Sequence, residues 1–153
     1  MPKLLKNGEL LQDVWRCLDA DYNGSPDGHI LFPLAYWLEH RKALLSRPNS
    51  GLWLNSDDEP EALARVIPAL PCIAVNFPTF TDGRGFSLAR LLRERYNYGG
   101  ELRAVGSILA DQLYYLKRCG FDSYEMADHV KTETVLNCSN SFSVNYQVTG
   151  TVN

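Results

Sequence analysis

The sequence predicts a single-domain α/β protein: about five strand–helix units around a mainly parallel sheet, preceded by an N-terminal β-hairpin. Three observations predict it. From His29 onward, short apolar runs alternate with stretches of helical periodicity, one unit every ~25 residues. Such alternation implies parallel strands joined by right-handed crossovers. The run Cys72-Ile73-Ala74-Val75-Asn76-Phe77 is nearly continuous in apolar character, as in a strand covered on both faces. A chain of 153 residues that is 45% hydrophobic has material for one core without staples.

Residues 1–28 read as the hairpin and a loop. Leu4-Leu5 and Leu10-Leu11 flank Asn7-Gly8, and Asn-Gly suits a two-residue turn in which both residues take positive φ. Asp19 to Gly28 is dense in turn formers. Residues 29–130 hold the strand–helix units. His29 to Phe32 is the first strand, and Leu34, Trp37, Leu38, Leu44 and Leu45 then share a helical face. Gly51 to Leu54 is the second strand. Asp57-Asp58 and Pro60 start a helix striped by Leu63, Val66 and Ile67, which Pro68 and Pro71 end. Cys72–Phe77 is the third strand, followed by a loop over 78–85 and a helix with Leu88, Leu91 and Leu92 inward, ending at Gly99-Gly100. Leu102 to Val105 is the fourth strand. Its helix carries Leu109, Leu113 and Leu116 and closes at Gly120. Phe121 to Met126 is the fifth strand, and Asp128 caps a weak last helix. Residues 131–153 form a C-terminal helix and extended arm, with Phe142, Val144, Tyr146 and Val148 alternating. Two architectures fit these units: an open doubly wound sheet, or a partial (β/α) barrel, five units being too few to close one.

The formal charge of −3 lacks the field that drives non-specific binding to nucleic acid or anionic membranes. No apolar run reaches the ~18–20 residues of a membrane span. The N-terminus shows no secretory pattern. Cys17, Cys72, Cys119 and Cys138 form no Cys-x-x-Cys pair, and reduced thiols of a cytoplasmic protein are the expectation. His29, His40 and His129 lack metal-ligand spacing, so neither a metal nor a cofactor is expected. No phosphate loop or dinucleotide fingerprint is present.

Ligands of parallel α/β folds bind at the carboxyl ends of the strands. That edge gathers Asn76, Thr79, Asp82 and Arg84 after the third strand, Ser107 and Asp111 after the fourth, and Glu125, Asp128 and His129 after the fifth. Cys72 and Cys119 belong to the opposite edge. Arg84 and Ser107, beside two helix starts, are candidate anion ligands, because helix N-termini expose unpaired N–H groups. Asp82 and Asp111 are the alternative candidates for an acid–base group. Alternatively, Arg84 is tied to Asp82 or Asp111 and the loop is an ordinary salt-bridged turn. Arg103 is a second signal, since a covered strand should be apolar there. Glu101 shares its face by period two, and Glu125 is within reach from the next strand. Asn76, Arg103 and Glu125 thus mark either a polar cleft in an open barrel or an edge-strand ion pair in solvent.

Several motifs carry a resemblance. They are Phe80-x-Asp82-Gly83-Arg84-Gly85-Phe86-Ser87-x-Ala89-Arg90-Leu91-Leu92-Arg93, Arg95-Tyr96-x-Tyr98, Gly100-Glu101-Leu102-Arg103-Ala104-Val105-Gly106, Asp111-Gln112-Leu113 and Arg118-Cys119-Gly120-Phe121-Asp122. With the Asn7-Gly8 hairpin, Trp15, the Pro33-Leu34-Ala35-x-Trp37-Leu38 segment and the tail from Phe142 to Gly150, the chain resembles the bacterial family called domain of unknown function 934. It departs at Val148, where the family usually has proline, and in the polar stretch Thr132 to Ser141. Members are commonly encoded beside the haem-containing subunit of sulfite reductase. The resemblance therefore implies an accessory role in assimilatory sulfite reduction, with sulfite reductase as partner. A small cofactor-free enzyme or binding protein for an oxidised sulfur oxyanion is the alternative it leaves open, and a homo-oligomer is compatible with either. Haem or iron–sulfur ligation by the chain itself would need clustered cysteines, which the spacing lacks.

Overall fold

The computed structural model describes residues 3–6, 9–12, 15–17, 28–79 and 81–126. The chain opens with β1 (Lys3–Lys6) and β2 (Glu9–Leu11), paired antiparallel with Lys6 opposite Glu9. That is the expected hairpin; its turn lies outside the described residues. β3 (Trp15–Cys17) follows, a strand the sequence pattern does not announce. Then come β4 (His29–Pro33), α1 (Leu34–Ser46) and β5 (Ser50–Asn55). Two 3-10 turns, Pro60–Leu63 and Ile67–Ala69, lead to β6 (Cys72–Phe77). α2 (Gly83–Glu94) and β7 (Glu101–Gly106) come next. A 3-10 turn at Ala110–Gln112 runs into α3 (Leu113–Cys119), and β8 (Ser123–Met126) follows.

The eight strands of the described residues form one sheet in the order β2-β1-β8-β7-β6-β5-β4-β3. From β3 to β8 the strands lie in chain order and every neighbour is parallel. A doubly wound sheet needs a reversal of strand order; none occurs here. Right-handed crossovers that always step the same way leave their helices on one face, so the sheet is a half-barrel with the three α-helices of the described residues outside it. The hairpin docks at the far end from β3, with β1 antiparallel to β8.

The core lies between the sheet and the helices. Ile30, Phe32, Leu52, Leu54, Ile73, Val75, Phe77, Leu102, Ala104 and Tyr124 point outward from the half-barrel and bury against Trp37, Leu63, Ile67, Leu88, Leu92, Leu113 and Leu116. The inner face carries smaller side chains, with Leu31, Cys72, Ala74 and Val105 buried and Trp15 and Trp53 packed on them. Gly51 permits this. A Cβ there would lie 2.7 Å from Leu31 Cδ2 and 3.2 Å from the Trp15 ring.

Five strand–helix units are not what the described residues contain. Three crossovers hold an α-helix. The segment between β5 and β6, expected as a helix from Asp57 to Ile67, is two 3-10 turns instead. Pro60 and Pro68 leave only seven residues between them, and Pro68 cannot donate the bond that would extend a helix through it. The i→i+3 bonds Ala64 N to Glu61 O and Val66 N to Leu63 O replace the α ladder. The expected stripe is still buried: Leu63, Val66 and Ile67 are at most 8% exposed.

In α1 the expected shared face splits. Trp37 and Leu44 are buried, and Trp37 Nε1 donates to Gly51 O at 2.9 Å, fastening the helix to β5. Leu38 and Leu45 are about half exposed, because each lies one residue, about 100° round the helix, from the buried Trp37 or Leu44, and His40, at φ −124°, kinks the helix between the two pairs. α2 stops at Glu94, short of the expected Gly99-Gly100. The chain there bends through Asn97 (φ +55°) to bury Tyr96 and Tyr98, whose hydroxyl lies 3.0 Å from both Leu70 O and Glu101 O. Leu109, expected inward, precedes α3 and is exposed. Gly120 terminates α3 as expected, at φ +115°. The fifth strand starts at Ser123 rather than Phe121. The last helix and the C-terminal arm lie outside the described residues.

Candidate functional site

At the carboxyl edge, β5 and β6 end in register with Asn55 opposite Asn76, and Asn76 Nδ2 donates to Asn55 Oδ1 at 3.0 Å. The next residue on β5, Ser56, donates its hydroxyl to Asp82 Oδ2 at 2.5 Å. Asp82 caps α2, accepting from the backbone N–H of Arg84 at 3.0 Å. It also accepts two side-chain bonds from Arg84, Nε to Oδ1 and Nη2 to Oδ2, each 3.0 Å. One carboxylate therefore joins the loops after β5 and β6. Its side chain is 8% exposed, whereas that of Arg84 is 63% exposed. The hydrogen bonds from Arg84, then that from Ser56, hold the Asp82 carboxyl well below the usual carboxylate range. Of the two pairings the sequence offers Arg84, the structure makes the one to Asp82.

The loop after β7 begins at Gly106, at φ +91°. Ser107 N donates to Phe77 O at 2.8 Å, carrying the β6–β7 ladder one residue past the strand. A Cβ at position 106 would lie 2.4 Å from Asn76 Oδ1 and 2.6 Å from Phe77 O, so only glycine lets the loop close on the Asn76 amide. Ser107 and Asp111 are both exposed, the latter in the 3-10 turn. The geometry thus unites Asn55, Ser56, Asn76, Asp82, Arg84 and Gly106, and leaves Ser107 and Asp111 at its rim without a bond to Arg84.

A second polar group lies on the inner face, lower on the sheet. Register puts Arg103 beside Ala74 on one side and Ser123 on the other. Arg103 is 1% exposed and lies in the middle of the sheet, so the edge-strand reading is corrected. Glu101 Oε2 accepts from Arg103 Nη2 at 2.7 Å, from Arg103 Nε at 3.2 Å and from Ser123 Oγ at 2.8 Å. Its Oε1 accepts from Lys6 Nζ at 3.1 Å. Burial pushes the Glu101 carboxyl up, but the bonds from Arg103, Ser123 and Lys6 outweigh it and hold it below 4.5. Glu125 shares this face, opposite Leu4. Asn76, Arg103 and Glu125 therefore do face the same side, as period two requires.

Sequence reasoning finds Arg103 and Glu101 but misses Ser123, Lys6, Ser56 and Asn55. Ser123 and Lys6 become neighbours only through strand pairing. Among the described cysteines, Cys17 is exposed and Cys72 and Cys119 are buried, with no disulfide between them; Cys138, Asp128 and His129 lie outside the described residues. Among the described residues, no group of three or more His, Cys, Asp or Glu side chains is placed to hold a metal ion. No described helix is long and apolar enough to cross a membrane.

Fold and site together define an α/β half-barrel with one polar group at its carboxyl edge and a second, around Arg103 and Glu101, on an otherwise largely apolar inner face. The profile of the family described as "Bacterial protein of unknown function (DUF934)" matches residues 51–152, and the chain belongs to that family. The match takes in β5 from Gly51 onward, β6 through β8, and both polar groups except Lys6. Neither a curated protein nor a solved structure matches the chain.

Proposed function

We propose that this chain is a cytoplasmic accessory protein of assimilatory sulfite reduction that acts by holding a protein partner, the haem-containing subunit of sulfite reductase. The pathway comes from the resemblance to a family encoded beside that subunit. The mode of action rests on one observation: Asp82 takes the Nε and Nη2 side of the Arg84 guanidinium. This cation of the carboxyl edge is thereby neutralised, and Asp57 and Asp58 follow directly on Ser56, which bonds the same carboxylate. A loop of that charge is a poor anchor for a doubly charged oxyanion. Asp82, held as carboxylate by four hydrogen bonds, is also a weak base.

The test is deletion of the gene, followed by growth on sulfate and on cysteine. Loss of growth on sulfate alone, restored by both wild type and Arg84→Ala, is the expected result. Unimpaired growth on sulfate overturns the reading.

A second reading has its own support. The outer edge of Arg84 remains exposed, and a pinned guanidinium can offer that edge to an oxyanion. In this reading the protein binds an oxidised sulfur compound against Arg84 and Ser107, with Asp111 or Asp82 as acid–base group. Titration with sulfite and sulfate at low ionic strength separates the two. Binding by wild type and not by Arg84→Ala favours the second reading.

A further inference from the structure

We infer that the outer surface of α2 and α3 is a docking site for the acidic surface of a partner protein, which deepens the partner-binding reading above and rests on it for the partner's name alone. Two features converge on this surface. The first is apolar exposure. Leu109, Tyr114 and Tyr115 are 42%, 42% and 49% exposed, and three of the seven exposed large hydrophobic side chains of the described residues thus fall within seven positions. Tyr115 is not a loose ring. It packs on Phe86 of α2 with centroids 4.8 Å apart, and Phe86 in turn packs on buried Phe77 at 5.1 Å. The exposed aromatic face is thus fixed to the core, and a rigid aromatic loses little entropy on binding.

The second feature is charge. Within residues 83–120, Arg84, Arg93 and Arg103 pair with Asp82, Asp122 and Glu101, and the other charged residues are Arg90, Arg95, Lys117 and Arg118 against Glu94 and Asp111, an excess of basic groups in a chain of net −3. The exposed members flank the aromatics. Arg118 lies 5.8 Å from the Tyr114 ring centre. Arg90 is exposed one turn after Phe86 on α2, and Phe86 packs on Tyr115. Tyrosine and arginine around an apolar centre is the composition of an interface core. A basic rim selects an acidic partner and speeds encounter with it. A symmetric pairing of two such faces would set basic rim on basic rim, which excludes the simplest homodimer.

The test is site-specific photocrosslinking in growing cells, with a benzophenone side chain replacing Tyr115, and Tyr36 on α1 as the control position. The expected result is one protein crosslinked from position 115 and not from 36. Its attachment site should lie in an acidic segment, and the yield should fall about tenfold or more when Arg90→Glu and Arg118→Glu are combined. Both arginines are exposed, and an unchanged thermal midpoint will show that the double variant folds. If the captured protein is the haem subunit, surface and pathway stand together. If it is a different protein through an acidic segment, the surface stands and the sulfite reductase reading falls. Crosslinks to a second copy of this chain or to nucleic acid, equal yields from 115 and 36, or no product from 115 would each overturn the surface.

Discussion

At Gly106 a backbone at φ +91° coincides with a Cβ position 2.4 Å from Asn76 Oδ1 and 2.6 Å from Phe77 O. Gly106→Ala therefore meets both a disfavoured dihedral and a backbone atom that cannot move aside. The expected loss is roughly 1–3 kcal/mol in urea unfolding, whereas Gly83→Ala, with nothing within 4 Å of the added carbon, should stay within about 1 kcal/mol of wild type. The ion pair behind Arg103 is a different kind of constraint. Glu101→Gln leaves the Arg103 guanidinium buried beside a neutral amide, and Arg103→Met leaves the carboxylate with Lys6 and Ser123. Each should cost about 3–5 kcal/mol, while the double variant with Met at both positions should cost clearly less than the sum. pH gives an independent reading. The Glu101 carboxyl is held below 4.5 in the folded protein, so its contribution is complete above 4.5 and is lost as pH falls through the folded value. Stability below pH 4.5 should fall more steeply in wild type than in Glu101→Gln; parallel curves would show the pair to be unimportant. Arg103 and Glu101 are legible in the sequence because alternation along one strand is local. Lys6 and Ser123 are not, because no local pattern says which strand lies beside which.

Elements here are held at their ends as much as along their faces. Arg93, in the last turn of α2, donates to Tyr98 O, Gly100 O and Gly120 O and to Asp122 Oδ2, at 2.7–2.9 Å. One guanidinium thereby ties the end of α2 to the start of β7 and to the C-terminus of α3. Its aliphatic stem lies where a Cβ at Gly120 would reach, 2.7 Å from Cγ. Lysine offers one nitrogen where arginine spreads three. Arg93→Lys should therefore abandon several of these carbonyls and cost roughly 1–3 kcal/mol, read as a lowered urea midpoint with unchanged slope. The sequence shows Arg93 only as one of a run of arginines on a helix, and a solvated face is the natural reading of such a run. What distinguishes it is the return of the chain at residues 98–100 and 120–122, which is tertiary. The lost helix after β5 is the opposite case: Pro60 and Pro68 are in plain view, and the apolar stripe at Leu63, Val66 and Ile67 outweighs them only if periodicity is read without the backbone.

At the scale of the molecule, parallel strands alternating with helices were readable, because crossovers force that arrangement on any such chain. Strand order was not, since both a doubly wound sheet and a half-barrel satisfy the same local patterns. Nor was the destination of the hairpin: it leaves the N-terminus to pair with β8, and β3 then begins at the opposite edge. This arrangement makes a graded prediction for hydrogen exchange. β6 is paired on both sides, by β5 and β7, and its residues other than Asn76 are buried. Its amides should exchange only through global unfolding. β1 is paired on both sides as well, but its outer neighbour is the three-residue β2, with Leu11 exposed at the margin. Besides its ladder to β8, the hairpin is tied to the parallel sheet by Lys6 Nζ, which reaches past β8 to Glu101 on β7 at 3.1 Å. That pair is partly exposed, so it should be worth about 0.5–1 kcal/mol. Lys6→Met should then speed exchange in β1 roughly twofold to fivefold and leave β6 unchanged, as a local opening requires. Equal acceleration in β1 and β6 would mean that the hairpin and the half-barrel unfold as one unit, and that Lys6 acts on global stability instead of on the docking of the hairpin.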